Sequence, residues 1–115
     1  MVSKYIHTTK QGTYKKILCV CSLGLLRSPT LALVLSSQGH NTRSCGSDTY
    51  NALIPITENL VAWADEIVFV NSENYEVASH LLDGKKVRIL DIPDSYDYRD
   101  SALLKICEVA YGSSH

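Results

Sequence analysis

A cysteine, five intervening residues and an arginine form the segment Cys21-Ser22-Leu23-Gly24-Leu25-Leu26-Arg27, and Ser28-Pro29-Thr30 follow directly. A thiolate is a strong nucleophile, and a planar guanidinium can grip two oxygens of one oxyanion. Together they describe attack on a bound phosphate-like group. The residues between them can curl so that successive backbone N–H groups converge on one tetrahedral anion. Gly24 allows the positive φ that so tight a loop requires. Ser22, Leu23, Gly24, Leu25, Leu26, Arg27 and Ser28 therefore read as a phosphate-binding loop with Cys21 at its base. Its positive field favours the thiolate, lowering the cysteine pKa from about 8.5 to about 4–6. Ser28 is suited to cap the following helix and to donate to the sulfur, and Pro29 to fill the first helical position.

Cys-x5-Arg carries weight only through the elements that hold it. The apolar run Ile17 to Cys21 predicts a buried strand, and Ser28 to about Gln38 predicts a helix that Gly39 ends. Thr42 to Cys45 is a short second strand, and residues 46–51 a loop. Thr57 to Ala64 reads as a helix, Glu66 to Val70 as a third strand, apolar nearly throughout. Ser72 to Leu82 reads as a helix capped by Asn71 or Ser72, with a turn at Asp83-Gly84. Lys86 to Leu90 is a fourth strand, Ile92 to Tyr98 a loop. Asp100 opens a last helix with Leu103, Leu104, Cys107, Ala110 and Tyr111 at helical spacing, and Gly112 stops it.

This alternation predicts an α/β three-layer sandwich, a four-stranded parallel sheet with helices on both faces. Sites in such sheets lie beyond the carboxyl ends of the strands. Cys21, the 46–51 loop and the Asp91–Tyr98 loop should therefore converge on one rim. Residues 1–14 are polar without clear period and read as an N-terminal tail or arm, and 15–115 as one domain.

The 115 residues carry a net charge of −1 and are 45% apolar, which suits one globular core. No basic stripe suggests nucleic-acid binding. No apolar run approaches the roughly 20 residues of a membrane span, and the N-terminus has no apolar signal-peptide core. A cytoplasmic location is expected. Cysteines 19, 21, 45 and 107 and histidines 7, 40, 80 and 115 lack zinc-site spacing, and no disulfide is expected. Cys19 and Cys107 read as small core residues.

Three segments resemble the low-molecular-weight protein tyrosine phosphatases, closest to a compact bacterial and phage branch. They are Val20-Cys21-Ser22 with Arg27-Ser28-Pro29-Thr30, Trp63 to Val70, and Leu90-Asp91-Ile92-Pro93-Asp94-Ser95-Tyr96. Arg43 to Ser47 matches the family more weakly, and the likeness spans about residues 15–111. The resemblance implies that Cys21 is the nucleophile, Arg27 binds phosphate, and Ser28 assists the thiolate. It implies a general acid in the late loop, matched by Asp94, with Asp91 as the rival. Tyr50, Tyr96 and Tyr98 are candidates to stack on a phosphotyrosine ring. Where the family usually has an asparagine that braces the loop, this chain has Gly24. Leu26 replaces a second cysteine found in larger members, so no disulfide can form within the loop.

The resulting expectation is a phosphomonoester hydrolase, a protein tyrosine phosphatase working through phosphocysteine without metal or organic cofactor. Its substrate is a phosphorylated protein or a small aryl phosphate, and inorganic phosphate or another oxyanion fills the loop. Two alternatives stay open: an arsenate reductase on the same fold, with Cys45 near the rim, and a phosphate- or phosphotyrosine-binding module without turnover.

Overall fold

A computed structural model of the chain describes residues 15–24, 27–82, 84–92 and 101–112. The expected arm 1–14 lies outside the described residues. Strand β1 (Lys16–Cys21) is buried along its whole length after Lys16. Its side chains alternate between two apolar clusters, as the period of a strand dictates. Ile17, Cys19 and Cys21 enter one, Leu18 and Val20 the other. The sheet is therefore covered on both faces.

Helices α1 (Arg27–Ser37) and α4 (Ser101–Gly112) cover the Cys21 face. There Leu31, Val34 and Leu35 join Leu103, Cys107 and Tyr111. The opposite face is closed by α2 (Glu58–Trp63) and α3 (Ser72–Ala78), through residues such as Val61 and Ala78. Strands β2 (Asn41–Gly46), β3 (Glu66–Phe69) and β4 (Lys86–Ile89) complete the sheet. Its order is β2-β1-β3-β4 with every pairing parallel. This is the three-layer α/β sandwich that the strand–helix alternation predicts.

The order also locates the site. From β1 the chain goes through α1 to β2 on one side, then crosses through α2 to β3 on the other. The carboxyl end of β1 is thus where the winding reverses, the place where open α/β sheets bind ligands. Cys21 is the residue at that end.

Element ends differ from the sequence expectation in ways that have causes. Helix α1 begins at Arg27, so Ser28 lies inside the helix and is not its cap. Pro29 is the third helical residue instead of the first, still within the turn whose N–H groups lack helical partners. The predicted 72–82 helix is α-helical only to Ala78 and tightens into a 3-10 turn over Ser79–Leu81. Thr57 and Asn71 cap α2 and α3 through their side chains. Gly39 has φ +101 beyond the end of α1, whereas Gly112 is the last residue of α4. The Asp100 cap lies outside the described residues.

Candidate functional site

The turn that leaves β1 is held by the strand beside it. Ser47 donates its backbone N–H to the Cys21 carbonyl at 2.7 Å, and Asp48 donates to the Ser22 carbonyl at 2.9 Å. Parallel pairing therefore runs on past the ends of both strands, and only then does the chain bend. Gly24 makes the bend at φ +75. A Cβ there would lie 2.8 Å from the Cys45 carbonyl carbon and 3.0 Å from the Gly46 nitrogen. Both the positive φ and the close backbone approach call for glycine.

The bend aims donors at the sulfur. The Gly24 N–H donates to Cys21 Sγ at 3.2 Å, and Ser28 Oγ lies 3.1 Å from the same atom. Ser28 Oγ also lies 3.3 Å from the Cys45 carbonyl oxygen. A hydroxyl has one proton, so the two contacts are linked. With a thiol, S–H donates to Ser28 Oγ and the hydroxyl donates to Cys45. With a thiolate, the hydroxyl can turn its proton to the sulfur. This is why Ser28 is fully buried inside α1 and unavailable as a cap.

Arg27 is also buried, and its Nη1 donates to the Ile92 carbonyl at 2.9 Å. The guanidinium thus ties the start of α1 to the chain leaving β4. Cys21, Gly24, Arg27 and Ser28, within eight residues of sequence, are brought together with Ile92, whose adjoining residue Asp91 is exposed. Leu25, Leu26, Asp94, Tyr96 and Tyr98 lie outside the described residues. Leu23 is partly exposed, and Tyr50 is 96% exposed in the loop after β2. That loop is set by Asp48, whose carboxylate accepts from the Tyr50 and Asn51 backbone N–H groups and the Asn51 side chain. The Asn51 bonds hold the Asp48 carboxyl below its ordinary pKa. A hollow of about 350 Å³ lies beside the bend, lined by Ser22, Ser47, Asp48, Thr49, Tyr50 and residues of α3.

Other thiols are of a different kind. Cys45 points into the α2/α3 cluster, across the sheet from Cys21. Burial, with a further contribution from Cys21, pushes its thiol up to about 12. Burial likewise raises Cys19, and raises Cys107 to about 11. None of the four cysteines is in a disulfide.

Two residues of this region carry no local sequence signal. Asn74 is buried on α3 and donates through Nδ2 to Ser22 Oγ at 3.0 Å and to Ser47 Oγ at 3.2 Å. Gly46 lies in the weakly matching Arg43–Ser47 segment and reads as the start of a loop, with nothing local to show that a Cβ there would meet the Ser22 carbonyl oxygen at 2.5 Å.

In sequence, no protein-family model and no curated protein matches the chain. Solved structures match it in fold. The tyrosine phosphatase Wzb from Escherichia coli K30, in complex with phosphate, is 18% identical with a TM-score of 0.69, over 84% of this chain and 93% of that one. Wzb from Vibrio vulnificus, in complex with benzylphosphonate, is 19% identical with a TM-score of 0.67, over 85% and 94%. The YwlE arginine phosphatase from Geobacillus stearothermophilus is 16% identical with a TM-score of 0.57, over 85% and 84%. The chain has the fold of the low-molecular-weight tyrosine phosphatases.

Proposed function

We propose that this chain is a phosphomonoester hydrolase, with a phosphotyrosine side chain or a small aryl phosphate as substrate. The observation that carries the reading is the sulfur of Cys21. It sits at the carboxyl end of β1, receives the Gly24 N–H and lies within reach of the Ser28 hydroxyl, while the buried Arg27 that precedes Ser28 is held by the Ile92 carbonyl.

In this mechanism the thiolate attacks phosphorus in line and the phosphoryl group moves to sulfur. Loop N–H groups and Arg27 hold the equatorial oxygens most tightly in the transition state. As the sulfur loses charge to phosphorus, the Ser28 proton can return to the Cys45 carbonyl. Asp94 protonates the leaving oxygen, then takes a proton from the water that hydrolyses phosphocysteine. The loop dipoles and Arg27 supply the positive field, so the mechanism calls for no metal or organic cofactor. It does call for a reduced Cys21, which favours the cytoplasm; among the described residues no helix is long and apolar enough to cross a membrane. We assign the reaction to a single domain from residue 15 onward.

Tyrosine is favoured over other phosphorylated residues by Tyr50, whose exposed ring stands on the loop that adjoins Ser22. The arginine phosphatases of the same fold make phosphoarginine the comparison substrate. An arsenate reductase would need a second thiol able to reach Cys21. Cys45 is fully buried, on the opposite face, with its thiolate strongly disfavoured.

The test is turnover of nitrophenyl phosphate by the wild type and Cys21→Ser side by side, with phosphate binding measured on both. Cys21→Ser should lose turnover while still binding phosphate, because loop and Arg27 hold the anion. A wild type that binds phosphate without hydrolysing any aryl phosphate would make the chain a binding module.

A further inference from the structure

A loop whose bend is a glycine has no side chain of its own at that position to stiffen it. The stiffness is supplied from outside the loop, by α3. Asn74 is only 3% exposed, and both hydrogen bonds of its Nδ2 group end on residues that frame the site. Ser22 directly follows Cys21 in the loop. Ser47 directly follows β2, and its backbone N–H holds the Cys21 carbonyl. One amide therefore ties the two chains that meet at the nucleophile to a single helix.

The same amide is poorly placed for stability alone. Its Oδ1 is buried with no hydrogen-bond partner among the described residues. Buried polar groups are nearly always paired, and an orphan costs free energy. The anchoring of α3 does not depend on the side chain either. The cap bond runs from the Asn74 backbone N–H to Asn71 Oδ1 at 2.9 Å. The Nδ2 group is left with one task, the two serines.

We propose that Asn74 is a positioning residue for the phosphate loop, holding Ser22 and Ser47 so that the backbone donors around Cys21 fit the transition state. The proposal rests on the phosphatase reading of the site. A rigid cradle should matter more for a five-coordinate oxyanion than for a tetrahedral one, since only the former matches the geometry that the loop must stabilise.

The experiment measures protection of Cys21 from iodoacetamide by orthovanadate and by inorganic phosphate, beside kcat and KM on nitrophenyl phosphate. In Asn74→Ala, half-protection by vanadate should need about ten- to a hundredfold more anion, and kcat should fall in parallel. Phosphate protection and KM should each change by less than about threefold. Ser22→Ala should reproduce the vanadate effect, and the double variant should be no worse than either single one. Asn71→Ala removes the helix cap but leaves the Nδ2 bonds. It should lower the melting temperature without changing vanadate protection. Equal loss of phosphate and vanadate protection in Asn74→Ala, no loss at all, or the same loss in Asn71→Ala would overturn the proposal. A wild type protected by vanadate but without turnover would defeat the hydrolase reading and leave the protection assay as the test of Asn74. A wild type protected by neither anion would end both.

Discussion

At the scale of single residues, chemistry depends on where protons can go. The Ser28 hydroxyl has one proton and lies within reach of both the Cys21 sulfur and the Cys45 carbonyl, so which of them it serves depends on whether the sulfur carries a proton. The leaving group needs a second proton source, and the two carboxylates near the end of β4 differ in their expected roles. Asp94→Asn should slow hydrolysis of phenyl phosphate by about 10²–10⁴. With nitrophenyl phosphate, whose leaving group needs little help, the loss should be much smaller. Asp91→Asn should show no such dependence, and a reversed pattern would exchange the two assignments. Cys21, Gly24, Arg27 and Ser28 were legible because they are neighbours in the chain and each residue type has one job that suits it. Asn74 was not. It reaches Ser22 across 52 residues, and nothing in Ser72-Glu73-Asn74 distinguishes a buried brace from an exposed amide.

The elements show how little slack surrounds the bend. Strand β2 ends at Gly46, whose N–H donates to the Ile54 carbonyl while its own carbonyl accepts from Ile56. This pins the 47–55 loop against the turn after Cys21. A Cβ at Gly46 would meet the Ser22 oxygen at 2.5 Å, the Ala52 Cβ at 2.6 Å and the Leu23 carbonyl carbon at 2.7 Å. Gly46→Ala must therefore push the turn after Cys21 aside. It should cost about 1–3 kcal/mol in denaturant unfolding and reduce turnover as well. A variant within about 0.5 kcal/mol of wild type with full activity would mean that the two loops are not packed as described. The strands and helices were legible from apolar periodicity, to within a residue or two at most ends. The helical position of Ser28 was not, because its hydroxyl is taken up by Cys21 and Cys45; nor was the 3-10 turn after Ala78, where the apolar spacing does not separate a 3-10 turn from a continued α-helix.

Across the whole molecule, the sheet separates two polar centres. The candidate site lies at the carboxyl end of β1, while Glu66 opens β3 at the amino end with its carboxylate fully buried. It accepts from Arg88 Nε, from the Tyr111 hydroxyl at 3.0 Å and from Lys15 at 3.3 Å, and Arg88 stacks on the Tyr111 ring at 4.4 Å. Burial alone would raise the Glu66 pKa, but Arg88, Tyr111 and Lys15 together hold it below the ordinary value. Burial and Glu66 push Tyr111 up to about 12, so its hydroxyl stays a donor. A depressed carboxylate contributes stability that is complete above the unfolded pKa, about 4.3, and is lost as pH falls through the folded value. Glu66→Gln should therefore be less stable near neutrality, by about 3 kcal/mol, and lose less on acidification below that range. Parallel pH–stability curves for the two proteins would contradict this. None of the network was legible beforehand, since its members lie 22 to 51 residues from Glu66 and share no spacing rule.

The proposed reaction passes through one covalent bond, from the Cys21 sulfur to phosphorus, and that bond can be measured directly. Wild-type protein mixed with excess nitrophenyl phosphate and quenched in acid during turnover should carry one phosphoryl group on the peptide containing Cys21, detected by its mass. Asp94→Asn should still accumulate it, since formation with so good a leaving group needs little acid help while its hydrolysis needs the base. Hydrolysis that proceeds with no phosphoryl group on Cys21 in either protein, or with the group on another residue, would rule out Cys21 as the nucleophile.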